Sequence, residues 1–466
     1  MSTFVVTNPS NGHVLREFNS DDRTAVDAKV QNAKRAQVGW SQLSFEKRAK
    51  CIRNFQSALS ENADALAMTL TNETGKPISQ ARGEVRATLG RIQYFLDETR
   101  AFTRPRVVGP LSFQGPGLAG TEEWVTPCPL GVVANVSAWN YPYFVGTNVF
   151  IPALLTGNAV LYKPSEFASM TGLAITRLMH EAGVPEHVFQ LVLGEGETGK
   201  ALVSSHIDGV FFTGSHATGT AIARSLAGRC IPLQLELGGK DPTYVADDAD
   251  IKAAAKGLAD GAFYNNGQSC CGVERIYIHS SQYFQFRTYF LDAIAAFKMG
   301  DPTLADTYLG PLTRGQHRPF LDEQIADAIS KGATVLTGGQ RIEGDGNYYA
   351  PTVLEGVNHD MSVMRDETFG PVIGLMSVSD DDEALRLMND TNYGLTASVF
   401  SASQTRAAAM MSQLNAGTVY WNCCDRVSAA TPWTGWNQSG LGSTLSDEGI
   451  RAFLKPKAWH LRPPTA

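Results

Sequence analysis

Val132-Val-Ala-Asn-Val136, Ala159-Val-Leu-Tyr-Lys163, Phe189-Gln-Leu-Val-Leu193, Val210-Phe-Phe-Thr213 and Pro232-Leu-Gln-Leu-Glu-Leu237 are five short, largely apolar runs in the middle of the chain. Helical text separates them. A Trp139-Asn-Tyr-Pro142 turn leads into a stretch reaching Leu155, Ser165 can cap a helix to Ala182, and shorter helices are expected at Thr198–Ser204 and Ala217–Ala227. Strands apolar on both faces that alternate with helices predict a parallel sheet with right-handed crossovers. Ligands of such sheets bind beyond the carboxyl ends of the strands. Here those ends carry Lys163, Gly194 and Thr213-Gly214-Ser215, so this half reads as a dinucleotide-binding domain.

Outward from that core, residues 21–102 are helical in pattern. Ile52, Phe55, Leu59, Ala63, Leu66 and Leu70 recur every three or four positions as one run, which Thr74-Gly-Lys-Pro77 stops before a new helix from Ser79. Residues 103–130 are rich in Pro and Gly and read as a linker or protruding arm. After Gly238 the βα character continues, with strands at Thr243–Val245 and Val273–Ile278 and helices at Ile251–Phe263, Tyr283–Phe297 and Asp381–Asn389. Strand-like text runs from Asn347 to Val372. This is a second α/β domain, as a chain of 466 residues requires, since one hydrophobic core rarely serves more than ~250–300. The tail Gly449–Leu461 alternates apolar residues and suits an edge strand on a partner.

With 43% apolar and 18% charged residues the chain is neither disordered nor fibrous. Its net charge of −7 gives no basic groove for nucleic acid. No apolar run nears the ~20 residues a membrane span needs, and the amino terminus lacks a signal-peptide pattern, so a soluble, cytoplasmic protein is expected. Seven cysteines without C-x-x-C and nine unclustered histidines predict neither a disulfide framework nor a metal site.

Gly194-Glu-Gly-Glu-Thr-Gly199 matches a G-x-G-x-x-G turn and, run on to Lys200, a phosphate-loop pattern. Ala201 replaces the magnesium-binding Ser or Thr, and two acidic residues oppose a triphosphate. The competing reading is a plain strand–helix turn. Phe212-Thr-Gly-Ser215 closes a strand and opens a helix, where free N–H groups favour a phosphate. Lys163-Pro-Ser-Glu166 could hold ribose hydroxyls or be a solvated charge pair; its carboxylate repels a 2′-phosphate and so favours NAD over NADP.

Gly267-Gln-Ser-Cys270 puts a thiol in a loop, next to Cys271, and adjacent side chains tend to face apart. A thiol ionising near 8.5 needs an activating environment or a base. Glu236 in Leu235-Glu-Leu-Gly-Gly-Lys240 is a candidate base, its proton affinity raised by burial. Pairing with Lys240 is the alternative.

Trp139-Asn-Tyr-Pro142, Lys163-Pro-Ser-Glu166, Phe212-Thr-Gly-Ser215, Leu235-Glu-Leu-Gly-Gly-Lys240, Gly267-Gln-Ser-Cys270 and Glu367-Thr-Phe-Gly-Pro371, taken together and in this order, resemble the aldehyde dehydrogenase superfamily over essentially the full chain. The resemblance implies an NAD-dependent oxidation of a small-molecule aldehyde to a carboxylic acid, with NADP as the alternative cofactor. Cys270 would be the nucleophile, Asn140 with the Cys270 N–H the oxyanion hole, and Glu236 the base that activates water against the thioester. Lys163 and Glu166 would meet the adenine ribose, and Gly214 and Ser215 the pyrophosphate. Trp139, Leu237, Glu367 and Phe369 would complete the cofactor site.

The family's domains would then be residues 1–106 with 130–237 for the cofactor, 238–437 for catalysis, and 107–129 with 450–466 for an oligomerisation arm, giving a homodimer or homotetramer. The presence of Glu236 points to water rather than coenzyme A as acyl acceptor. Val149 and Thr444 stand where many hydrolytic relatives carry a lysine and a glutamate. Tyr141, Val145, Asn148 and Trp433 would line the substrate channel, where Tyr141 and Trp433 could bracket an aldehyde or cup a quaternary ammonium. Relatives acting on succinic semialdehyde often place an Arg where Asn148 falls, so an acidic semialdehyde is disfavoured. Alternatives are an NADP-preferring semialdehyde dehydrogenase, a catalytically silent scaffold on this fold, or a nucleotide-triphosphate protein using Gly194–Lys200.

Overall fold

The computed structural model describes residues 2–108 and 122–461. Its architecture is α/β, built on two largely parallel sheets. The first has the strand order Phe189–Leu191, Ala159–Lys163, Val132–Val136, Gly209–Thr213, Leu233–Glu236, Gly440–Leu441. The five expected strands all occur and pair in parallel, and Gly440–Leu441 joins antiparallel beside Leu233–Glu236. Ala159–Lys163 and Gly209–Thr213 are buried at every position, as two-sided cover by helices demands. The order reverses around Val132–Val136, which sets a crevice at the carboxyl ends of the central strands.

The second sheet runs Thr334–Thr337, Thr352–Glu355, Val372–Val378, Arg275–His279, Pro242–Val245, Thr396–Phe400, Thr418–Trp421, with only the first strand antiparallel. Leu233–Glu236 passes through Leu237–Asp241 straight into Pro242–Val245. The carboxyl ends of the first sheet therefore abut the amino ends of the second, where the loops bearing Cys270 and Glu367 enter Arg275–His279 and Val372–Val378.

Several local expectations change. The single helical run through Ile52 and Leu70 is two helices, Phe45–Glu61 and Ala63–Thr74. Between them Asn62 leaves helical geometry and donates from Nδ2 to the Ala58 carbonyl. Ser165 caps the short 3-10 turn Glu166–Ala168, and the α-helix begins only at Ser169. The strand-like text before Val372 holds the strand Thr352–Glu355, the short helix Ser362–Arg365 and a loop through Glu367–Phe369. The tail begins as a helix, Ser446–Arg451. Its strand, Leu454–Leu461, is the edge of a three-stranded sheet in which it pairs with the chain's own Glu122–Pro129, which also pairs with Arg106–Val108. Residues 109–121 and 462–466 of the expected arm lie outside the described residues. Trp433, Leu445, Ile450 and Phe453 pack into the core of the first sheet.

Candidate active site

The loop before Arg275–His279 is locked by its own amides. Asn265 and Asn266 both adopt left-handed backbone (φ 52° and 56°), which Asn tolerates better than most residues. Asn265 Nδ2 donates to the Gln268 carbonyl (3.1 Å) and Gln268 Nε2 to the Asn265 carbonyl (3.1 Å). Gln80 accepts from the Asn265 N–H, and Gln268 Oε1 from the Thr313 N–H. Cys270 emerges half-buried from this clamp. Cys271 is buried, and its Sγ donates to Asp425 Oδ1 at 2.8 Å. The Cys271 thiol titrates well above its ordinary value, through its contact with Cys270, burial and the Asp425 carboxyl.

Asn140 comes from a distant part of the chain, in the turn before the helix Pro142–Leu155. Its Nδ2 donates to the Gln268 carbonyl at 3.2 Å, two residues before Cys270. Its own carbonyl accepts from Lys76 Nζ at 2.6 Å and from Asn265 Nδ2 at 3.3 Å. Lys76 in turn pairs with the buried Glu84, which also accepts the Tyr143 N–H. The amide therefore has one N–H committed and one left to meet a ligand oxygen.

Glu236 ends the strand Leu233–Glu236 and is 5% exposed. Thr444 Oγ1 donates to Oε1 and Thr213 Oγ1 to Oε2. Burial pushes its carboxyl up to about 7, against the pull of Thr444, Arg91 and Thr213. Pairing with Lys240 does not occur, because Lys240 binds Glu274 and the Thr368 hydroxyl instead. Thr444, where the resemblance would lead one to expect a glutamate, gives its hydroxyl to Glu236 instead. Val149 is buried among apolar residues.

The residues expected at the cofactor gather along the crevice. Lys163 is 4% exposed, and its ammonium has one protein acceptor among the described residues, the Pro164 carbonyl at 3.3 Å. Burial lowers its pKa. An ammonium so enclosed and so poorly satisfied suits ligand hydroxyls. Glu166 lies half-buried and accepts from Ser165. Ser215 caps the helix His216–Leu226, with Gly214 bonded to the Glu236 carbonyl. Leu237 packs so close to that helix that a Cβ on Gly219 would lie 2.6 Å from its Cδ2.

The Glu367 carboxyl accepts the Gly239 N–H and is pushed up to about 8 by burial. A Cβ on Gly238 would sit on it. Phe369 (φ 48°) meets Trp139 edge-on at 5.6 Å. In the Gly194–Lys200 turn, Lys200 pairs with Glu197 in solvent, while Gly199 faces the Lys163 side chain.

Sequence reasoning missed three groups. Glu274 accepts the backbone N–H groups of Thr368 and Phe369 and so holds the loop that carries Glu367. Thr213 was read only as a strand end. Arg91, on the helix Ile78–Phe102, is buried, donates to Asn148 Oδ1 (3.1 Å) and lies 3.9 Å from the Phe144 ring centroid. Charge–residue alternation on a helix gives no sign that one guanidinium points inward. Tyr141 stacks on Phe144 and already holds the Lys76 ammonium 3.8 Å from its ring centroid, so this aromatic face is not free to cup a quaternary ammonium. Trp433 is buried and pairs through its backbone with Thr444. Among the described residues no three His, Cys, Asp or Glu side chains could hold a metal ion, and no helix is long and apolar enough to cross a membrane.

The chain is similar over nearly its whole length to proteins of known activity. The chain is 36% identical to a 3,6-anhydro-alpha-L-galactose dehydrogenase of Streptomyces coelicolor, over 99% of this chain and 93% of that protein. It is 35% identical to a succinate-semialdehyde dehydrogenase [NADP(+)] of Deinococcus radiodurans, over 97% and 94%. Among solved structures, betaine aldehyde dehydrogenase from Staphylococcus aureus in complex with NAD+ superposes with a TM-score of 0.95 at 31% identity, covering 100% of this chain and 92% of that one. The profile of the aldehyde dehydrogenase family matches residues 1–459, and the chain belongs to that family.

Proposed function

We propose that the protein oxidises an aldehyde to its carboxylic acid with NAD, through a thioester on Cys270 hydrolysed by water that Glu236 activates. The observation that carries this reading is the shared acceptor at Gln268. It brings the Asn140 amide, from 128 residues away, to the loop of the half-buried thiol. Cys270 Sγ attacks the carbonyl carbon. The developing oxyanion meets the free N–H of Asn140 and the backbone N–H of Cys270, donors already fixed by the surrounding bonds. Bound NAD supplies the two-electron oxidant. Lys163 and Glu166 would hold its adenine ribose, Gly214 and Ser215 its pyrophosphate, with Trp139, Leu237, Glu367 and Phe369 around the nicotinamide end. The Glu166 carboxylate supports NAD; the NADP-dependent relative keeps NADP as the second reading.

Glu236, with a pKa of about 7, is partly ionised at neutral pH and able to take a proton from water, which completes hydrolysis and frees the thiol. Cys271 is held by Asp425 and stands aside. Residues 1–106 with 130–237 form the cofactor domain, joined by 433–453, which pack with it. The rest of 238–437 forms the catalytic domain, and the strands at 106–108, 122–129 and 454–461 form an arm for a homodimer or homotetramer. Seven free cysteines accord with a cytoplasmic location.

NADH appearance at 340 nm over an aldehyde panel tests the reading. Cys270→Ser should abolish turnover while NAD still binds, and Glu236→Gln should give a burst followed by slow steady turnover. An active Cys270→Ser beside a dead Cys271→Ser would overturn it.

A further inference from the structure

We infer that Arg91 is a specificity-determining residue that receives a carboxylate on the far end of a short aldehyde substrate. The inference rests on the aldehyde-oxidising reading and names its substrate class. A guanidinium carries five N–H donors and cannot shed its charge in a protein. Arg91 is 9% exposed, yet its one hydrogen bond among the described residues goes to Asn148 Oδ1, and no carboxylate lies within ion-pair distance. None of its nitrogens is both sealed from solvent and unpartnered, so its free donors open onto accessible space. A buried cation left this way is costly unless a ligand completes it.

Its position gives the ligand. Phe144, under the guanidinium, lies in the first turn of the helix Pro142–Leu155, Asn148 lies one turn further on, and Asn140 stands in the bend just before that helix. At 1.5 Å per residue the helix rises ~3 Å from Pro142 to Phe144 and ~9 Å from Pro142 to Asn148, so the guanidinium stands within two turns of the bend that bears the oxyanion donor, in reach of a chain of about four or five carbons. Glu236, Cys271, Glu84 and Cys270 all act electrostatically on Arg91, and two of them, Glu236 and Cys270, are the proposed base and nucleophile. Glu84 is already spent on Lys76, and Glu236 on two threonine hydroxyls. With Lys76, paired to Glu84, covering the Tyr141 face and the unpaired Arg91 over Phe144, this wall favours an anion over a quaternary ammonium. Asn148 lacks an arginine of its own, but it orients one supplied by a neighbouring helix. That reverses the expectation drawn from position 148 alone.

The test compares 4-oxobutanoate with butanal, and 5-oxopentanoate with pentanal. Wild-type enzyme should favour the carboxylated member of at least one pair by 100-fold or more in kcat/KM. Arg91→Met should cut that ratio at least 30-fold, and Arg91→Lys, a point charge without the fork, should fall between. A ratio near one in the wild type, or one unchanged in Arg91→Met, overturns the inference.

A readout independent of turnover is protection of Cys270 from iodoacetamide by succinate. Succinate should slow alkylation in wild type and not in Arg91→Met; no protection in the wild type also overturns the inference. Loss of all aldehyde oxidation with protection intact would instead overturn the reading of function and leave the anion site standing.

Discussion

Replacing Glu236 by Gln should stabilise the protein at alkaline pH and do so less as the pH falls. Burial raises this carboxyl from 4.5 to about 7 in the folded chain. A group whose folded pKa is raised favours folding below its unfolded pKa, and that benefit is lost as pH rises through the folded value. Across the gap of 7 − 4.5 = 2.5, at 1.36 kcal/mol per pH unit, ionised Glu236 costs about 3 kcal/mol at pH 8 and about 1.4 kcal/mol at pH 5.5. Gln keeps the shape and an acceptor for Thr444 but cannot ionise. The assay is Tm by differential scanning at both pH values, at equal protein concentration and without cofactor. A chain with two large sheets in separate cores need not unfold in one step, so the pH dependence of the Tm difference is the readout. A gain of roughly 5 °C at pH 8 that shrinks by half or more at pH 5.5 is expected. An equal gain at the two values, or a loss at pH 8, would refute the idea that the base is held ionised at the expense of stability.

Thr444→Val removes the hydroxyl that steadies ionised Glu236. At about 1.5–3 kcal/mol for a hydrogen bond to a charge, the acid limb of kcat should move up by one to two pH units, read from steady-state pH profiles. Glu274→Gln weakens the anchors at the Thr368 and Phe369 amides and the pairing with Lys240. It should raise the KM for NAD several-fold more than that for aldehyde, a split that loosening of the whole fold would not produce. Gly238→Ala should displace the Glu367 carboxyl and weaken NAD binding about tenfold or more by titration, with Cys270 still fully reactive to iodoacetamide.

The parts of this molecule that could be read from sequence are those whose physics is local. Val132–Val136 and Ala159–Lys163 announce themselves because a strand covered on both faces must be apolar at nearly every position. Lys163, Ser215 and Glu236 follow from standing at strand ends. Thr396–Phe400 was not legible because Ser398 breaks its apolar run, and Thr418–Trp421 because its apolar run is only three residues long; the neighbouring strands make both part of a sheet. Arg91 and Glu274 were invisible for a different reason. A charged residue between apolar ones on a helix or strand looks solvated, and only a partner brought in from elsewhere, Asn148 or the Thr368 amide, shows that it points inward. The split at Asn62 escaped because the spacing of apolar residues continues across it.

The short strand Gly440–Leu441 and the Thr444 hydroxyl close around Glu236 from 208 residues downstream. During synthesis, then, the thiol and the carboxylate leave the ribosome long before the segment that arms the second of them. On the proposed mechanism, a nascent chain holds the candidate nucleophile and base before it holds the hydroxyl that steadies the charge of the base. Translation order would then make the proposed hydrolytic turnover one of the last properties the polypeptide acquires.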